Sequence, residues 1–206
     1  MGSPMIVCIG SYKGGIGKTT TAIHIAAYLQ TLAPTILADG DIVRASGKWA
    51  LRSDGKGLPF TVVPIGQLAK HVRQYEYVVI DTEANPSDED FKDAAQGCDL
   101  LVIPAEPETT ATDGLTYTLG KLRDLKHDRF KVLLTKVPPP PQTEGQQLRA
   151  SLKEAGIPLF KSEIPLLVAY RKASADGLSV RDVKGDRNAR RAWLAYERVG
   201  REIVNG

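Results

Sequence analysis

Two lysines and two threonines stand at fixed offsets around a glycine run in Tyr12-Lys13-Gly14-Gly15-Ile16-Gly17-Lys18-Thr19-Thr20. The chemistry open to such a run is phosphate binding. Glycines let successive backbone N–H groups curl toward one point, and a helix that starts there turns the positive end of its dipole on the same place. Lys18 follows the last glycine, where a lysine reaches the β- and γ-phosphates of a nucleoside triphosphate, and the Thr19 hydroxyl stands where it ligates Mg²⁺. Gly14, Gly15, Ile16, Gly17 and Thr20 complete the candidate cradle. Such a loop needs a strand before it and a helix after it. Met5–Ile9 is an apolar run that predicts the strand, and residues 21–32 carry Ala22, Ile25, Ala26, Leu29 and Leu32 at helical spacing. A glycine-rich turn without a ligand is the alternative, but a turn does not require these lysines and threonines at these offsets.

Two further acidic positions fit the same chemistry. Residues 34–39 form a short apolar run ending in Asp39-Gly40-Asp41, at the carboxyl end of a predicted second strand, where open parallel sheets place ligands. Capping of the next helix is the competing reading for these aspartates. Tyr77-Val78-Val79-Ile80-Asp81-Thr82 reads as a strand buried on both faces, ending in Asp81. A carboxylate there, downstream of a phosphate loop, holds Mg²⁺, commonly through water.

The general phosphate-loop pattern, G-x-x-x-x-G-K-[ST], asks for glycine where Tyr12 stands, and the chain has Lys13 as an additional lysine at the start of the glycines. The run resembles the deviant Walker A motif, x-K-G-G-x-x-K-[ST], of the ParA/MinD superfamily of dimeric ATPases. That resemblance implies an ATP-dependent sandwich homodimer that uses ATP and Mg²⁺. Lys13 would act on the partner's phosphates, Asp41 would position or activate the attacking water near the metal, and Thr135 and Lys136 would contact the adenine. Catalysis would then rest on Lys13, Lys18 and Asp41, and metal binding on Thr19, Asp41 and Asp81. The chain departs from the family pattern at Ile42-Val43, where the family has P-Q, and after Asp81, where Thr82-Glu83-Ala84-Asn85-Pro86 replaces D-C-P-P or similar. Ile164-Pro165 to Val180 resembles a further family segment, with Lys172 in place of an acidic residue.

Size and composition leave room for this and exclude other classes. With 206 residues, 42% of them hydrophobic and 25% charged, the chain is expected to form one domain over residues 5–206, Met1 to Pro4 reading as a cloning remnant. No run of about 18 apolar residues predicts a transmembrane segment, and no secretory signal is visible. Cys8 and Cys98 lack metal-ligand spacing and read as buried small hydrophobes in a cytoplasmic protein. His24, His71 and His127 are not placed as ligands.

Strand and helix signals alternate, predicting a doubly wound α/β fold with a mostly parallel sheet and helices on both faces. Helices are expected at residues 42–49, 66–73, 87–97, 111–125, 143–155 and 186–204, and strands at 60–63, 99–104, 130–137 and, last, 159–164. Pro138 to Pro141 forms a stiff connector. The last helix carries Ala192, Tyr196, Val199 and Ile203 on one stripe, suited to packing on the sheet.

Charge is distributed unevenly. Residues 81–108 hold nine acidic residues and one lysine, while residues 181–206 hold seven basic and four acidic ones. The resemblance extends to small plasmid-partition ATPases and to McdA-type ATPases that space carboxysomes. It implies non-specific binding to nucleoid DNA and a ParB-like or McdB-like adaptor on the cargo that stimulates hydrolysis. Arg171, Lys172, Lys184, Arg187, Arg190, Arg191, Arg198 and Arg201 are the candidate DNA contacts, an ordinary solvated helix face being the alternative. Residues 83–93 are an acidic stretch that would suit a basic partner segment. Three rival readings share the motif. A MinD-like membrane ATPase would need an amphipathic tail, and the chain stops at Gly206, directly after the last predicted helix. An iron–sulphur reductase of nitrogenase type would need more cysteines. A metabolic ligase such as dethiobiotin synthetase would need a small-molecule pocket.

Overall fold

The computed structural model describes residues 2–206, with residues 109–112 described by their backbone alone. Six parallel strands form one sheet: β1 (Met5–Ile9), β2 (Thr35–Asp39), β3 (Thr61–Pro64), β4 (Tyr77–Asp81), β5 (Leu100–Ala105) and β6 (Phe130–Leu134), in the spatial order β3-β2-β4-β1-β5-β6. The central strands are apolar on both faces because helices cover both. On one face α1 (Lys18–Leu29) lies beneath α8 (Ala189–Val204), beside α7 (Val168–Asp176) and α2 (Ala45–Leu51), around a core that includes Ile25, Leu37, Trp49, Ala173 and Tyr196. On the other, α4 (Asp88–Gln96), α5 (Thr109–Asp124) and α6 (Glu144–Glu154) bury Phe91, Leu122 and Leu152 against Cys8, Leu101 and Val132. The short helix α3 (Leu68–His71) closes a smaller cluster on Ile36, Val63 and Val78. Cys8 and Cys98 are buried and free, as their apolar settings predict.

Register decides what meets at the carboxyl edge. Asp81 of β4 pairs with Ile9 of β1 on one side and with Asp39 of β2 on the other. Both aspartates therefore end their strands in one row, next to the loop that follows β1.

Two local expectations are corrected. The predicted last strand, 159–164, is absent. Isolated bridges from Leu159 and Pro165 reach β6 and the residue Val137 beyond it, and the N–H groups of Phe160 and Ile164 donate to the Val132 and Leu134 carbonyls, but no continuous strand forms. Pro158 and Pro165 have no N–H to donate, and the N–H groups of Lys161 and Ser162 donate instead to the Glu202 carboxylate of α8, at 2.7 and 2.8 Å. The helix expected over 66–73 is broken into one α turn between two 3₁₀ turns, 65–67 and 72–74. Helix α7, by contrast, forms where the sequence shows only a family-like segment.

Candidate functional site

The loop after β1 is built as a cradle. Gly15 and Gly17 have φ of 78° and 93°, a left-handed backbone that favours glycine. Gly17 is also the N-cap of α1. No side chain caps this helix and no acidic residue stands in its first turn. Its leading N–H groups are thus left for an external acceptor. The loop is held from behind: the Thr135 hydroxyl, just past β6, donates to the Ile16 carbonyl at 2.8 Å. The Lys18 ammonium folds over the loop and donates to the Lys13 carbonyl at 2.7 Å and, at 3.4 Å, to that of Ser11. Burial pushes the Lys18 ammonium below its ordinary pKa, against the pull of the Asp81 and Asp41 carboxylates. The Lys13 stem lies on α5 at Gly114, where an added Cβ would stand 2.8 Å from the Lys13 Cβ.

Asp81 is fully buried. The Ser46 hydroxyl donates to its Oδ2 at 2.7 Å, while Oδ1 has no hydrogen-bond partner. Burial raises its carboxyl from 3.8 to about 6, while the hydroxyls of Ser46 and Thr19 and the Lys18 charge favour the ionised form. A buried carboxylate oxygen left without a donor costs free energy unless a cation meets it. With the Thr19 hydroxyl beside it, this donor set fits Mg²⁺, which is held by one or two protein oxygens plus phosphates and waters. Among the described residues, no group of three or more His, Cys, Asp or Glu could hold a metal by protein ligands alone.

Asp39 does what the capping alternative requires. Its Oδ2 accepts the Gly47 N–H in the first turn of α2 at 2.7 Å and its Oδ1 accepts the Asp41 N–H at 3.1 Å. It thereby fixes the loop that presents Asp41, whose own Oδ1 accepts the Val43 N–H at 2.9 Å. Ile42 and Val43 project from this loop, 84% and 60% exposed. Ser46 was not legible as a site residue, because its tie to Asp81 spans 35 positions in sequence.

A cavity of about 780 Å³ opens beside Gly17 and Thr20 and extends past Glu106, Lys136, Leu166 and Tyr170. Its continuity with the cradle suits a nucleoside. Thr135 and Lys136 both line it. Thr135 is committed to the loop, and Lys136 pairs with Glu106 at 2.8 Å.

The eight candidate DNA contacts are all exposed. Arg190, Arg191, Arg198 and Arg201 share one side of α8, opposite the buried Ala192, Tyr196, Val199 and Ile203. Lys172 pairs with Asp186 at 3.0 Å, and Arg201 pairs with Glu197. No helix among the described residues is long and apolar enough to cross a membrane.

Comparison with known proteins agrees with this geometry. The family described as the CobQ/CobB/MinD/ParA nucleotide binding domain matches residues 7–180. The chain is 31% identical over 204 residues to the maintenance of carboxysome distribution protein A of Gloeobacter kilaueensis, covering 97% of this chain and 94% of that protein. Among solved structures, the McdA–ATP complex from Cyanothece superposes with a TM-score of 0.76 at 18% identity, covering 100% of this chain and 98% of that one. A putative plasmid partition protein of Borrelia burgdorferi bound to AMPPNP superposes with a TM-score of 0.73 at 19% identity, covering 98% and 99%.

Proposed function

This chain belongs to the CobQ/CobB/MinD/ParA nucleotide-binding family, and on that premise we propose that it is a positioning ATPase of the ParA/McdA kind, hydrolysing ATP to ADP and phosphate. The observation that carries the hydrolytic part is the orphaned, buried oxygen of Asp81 beside Lys18, Thr19 and an uncapped helix end. Similarity to a carboxysome-distribution protein and to a plasmid-partition protein supports the positioning part.

The residues divide the work. The open N–H groups of α1 take phosphate oxygens, and Lys18 exchanges its two carbonyl acceptors for the β- and γ-phosphates. Asp81 and Thr19 would hold Mg²⁺, which would supply charge neutralisation on the phosphates. Asp41, held by Asp39, orients the attacking water. Lys13 crosses to the phosphates of a second subunit, so that ATP and dimerisation depend on each other. The exposed arginines of α7 and α8 give the dimer a face for nucleic-acid phosphates without base reading, and binding there weakens steeply with salt. The protein works in the cytoplasm on the nucleoid, and an adaptor on the cargo stimulates hydrolysis.

Light scattering tests the dimer. The parent protein is expected to double its mass with a non-hydrolysable ATP analogue and Mg²⁺. Lys13→Ala is expected to bind the analogue with an affinity within about threefold of the parent, because Lys18 and the backbone remain, and to stay monomeric. Equal dimerisation of the variant and the parent overturns the role of Lys13.

A further inference from the structure

Tyr12 occupies the position where a phosphate loop ordinarily has glycine, and its side chain ties the loop to two helices. Its hydroxyl donates to Asp88 Oδ1, the first residue of α4, at 2.7 Å. Lys121 of α5 holds the other oxygen of Asp88. The Tyr12 ring lies 4.7 Å from that of Phe91 and meets that of Tyr117 edge-on at 4.8 Å, while the Lys121 ammonium stands over Tyr117. The backbone follows the same helix. The Tyr12 N–H donates to the Thr118 hydroxyl at 3.4 Å, and the Lys13 stem rests on Gly114 one turn earlier.

The consequence lies between Asp81 and Asp88. At its start, this segment is tied to β1: the N–H and hydroxyl of Thr82 both donate to the Ile9 carbonyl, at 3.2 and 2.9 Å. At its end, Asp88 is tied to Tyr12. In between, Ala84 faces Gly14, where an added Cβ would stand 3.6 Å from the Ala84 Cβ. The loop carrying the metal-site carboxylate is thus pinned at both ends to the strand and loop that hold the phosphates.

We infer that Tyr12 is a positioning residue: its latch on Asp88 and Lys121 registers residues 82–88 against the phosphate loop and sets Lys13 on α5. The inference rests on the hydrolytic reading above and deepens it, since movement of either loop is transmitted to the other through one phenol. The latch is chemically specific. Phenylalanine in place of Tyr12 keeps both ring contacts and removes only the hydrogen bond, so its effect separates the latch from the packing.

Tyr12→Phe, Asp88→Ala and the double variant test it by two measurements. In nucleotide-free protein, hydrogen exchange of the Tyr12, Thr82 and Asp90 amides, which donate to the Thr118 hydroxyl, the Ile9 carbonyl and the Ser87 hydroxyl, is expected to quicken about fivefold in either single variant, and no further in the double, while exchange in β1 and β4 stays unchanged. In steady-state hydrolysis, kcat is expected to fall about fivefold with KM within a factor of two, again without additivity. Unchanged exchange overturns the latch. Quickened exchange with unchanged kcat overturns the positioning role. If the parent itself does not hydrolyse ATP, the proposed function fails while the exchange result still decides the latch.

Discussion

Helices α1 and α4 leave neighbouring strands of the same sheet, yet their first turns are built in opposite ways. Helix α4 is self-sufficient. Ser87 caps it by accepting the Asp90 N–H, and Asp88, Glu89 and Asp90 place negative charge on the positive end of its dipole. Helix α1 has no side-chain cap, no acidic residue in its first turn, and a left-handed glycine where a cap would stand. One helix satisfies its own terminus; the other keeps its terminus available for an anion from outside. Asp81 lies between them at the end of β4, and the segment from it leads into α4. The uncapped α1 terminus is therefore a candidate anion site set beside a carboxylate, one of whose oxygens has no hydrogen-bond partner.

The largest expected effect comes from making α1 resemble α4. Thr20→Glu puts an acidic residue in the first turn of α1, where it competes with phosphate for the same N–H groups and repels its charge. Nucleotide affinity, measured by calorimetry, is expected to fall at least about 100-fold. Stability without nucleotide should hold or rise, by up to about 1 kcal/mol, because the dipole now has its counter-charge. Retained affinity would show that the uncapped terminus is not the anion site.

A smaller effect sharpens the role of the carboxylate between the helices. In protein free of nucleotide and Mg²⁺, Asp81→Asn removes a buried carboxyl whose pKa is raised from 3.8 to about 6 by burial, next to Asp39 and Lys18. That rise corresponds to about 3 kcal/mol lost by the parent at neutral pH, an upper limit on what the variant gains. The sign follows from proton uptake. Asp81 contributes stability below pH 3.8 that is lost as pH rises through about 6. Buried His24 runs the other way. Burial lowers it from 6.5 to about 4, so stability present above 6.5 is lost as pH falls toward 4. Among the described residues no carboxylate acts on this imidazole; it is packed by Trp49, Tyr170 and Tyr196 and accepts the Val180 N–H at 3.0 Å. In the parent the two slopes oppose each other. In Asp81→Asn only His24 remains, and urea midpoints are expected to fall between pH 6.5 and 4 more steeply than in the parent, by about 3 kcal/mol over the interval. Hydrolysis by the same variant should drop at least about 100-fold. Parallel pH profiles in the two proteins would mean that Asp81 is not held in the buried state described.

That Lys18, Thr19 and Asp81 meet at one edge of the sheet was legible because short spacing and apolar runs leave few alternatives. The sheet was legible for the same reason: strands buried on both faces read as continuous apolar runs. Ser46 was not, because a serine in a polar stretch acquires its meaning only when α2 folds back on β4. The missing strand at 159–164 was not, because the competitor for its N–H groups, Glu202, lies some 40 residues away. Tyr12 was visible only as a departure from a glycine pattern. Its partners Asp88 and Lys121 come from two other helices, a contact that no local periodicity encodes. Helix α7 follows Pro165 without a strong amphipathic repeat, and its identity is set by burial of Ala169 and Ala173 against the core.

The smallest effect tests the self-sufficient terminus. Ser87→Ala removes the hydroxyl that accepts the Asp90 N–H at 3.1 Å and donates to its carboxylate. Loss of such a cap costs about 1 kcal/mol, readable as a lower urea midpoint with an unchanged slope. Nucleotide affinity should stay within about twofold, because α4 takes no part in phosphate binding and its acidic first turn still offsets its dipole. The two first turns then respond in opposite senses: charge added to α1 abolishes binding at no cost in stability, while a cap removed from α4 costs stability and leaves binding intact. A Ser87→Ala variant that loses nucleotide affinity more than tenfold would show instead that the α4 terminus belongs to the phosphate site, and the contrast between the two helices would fail.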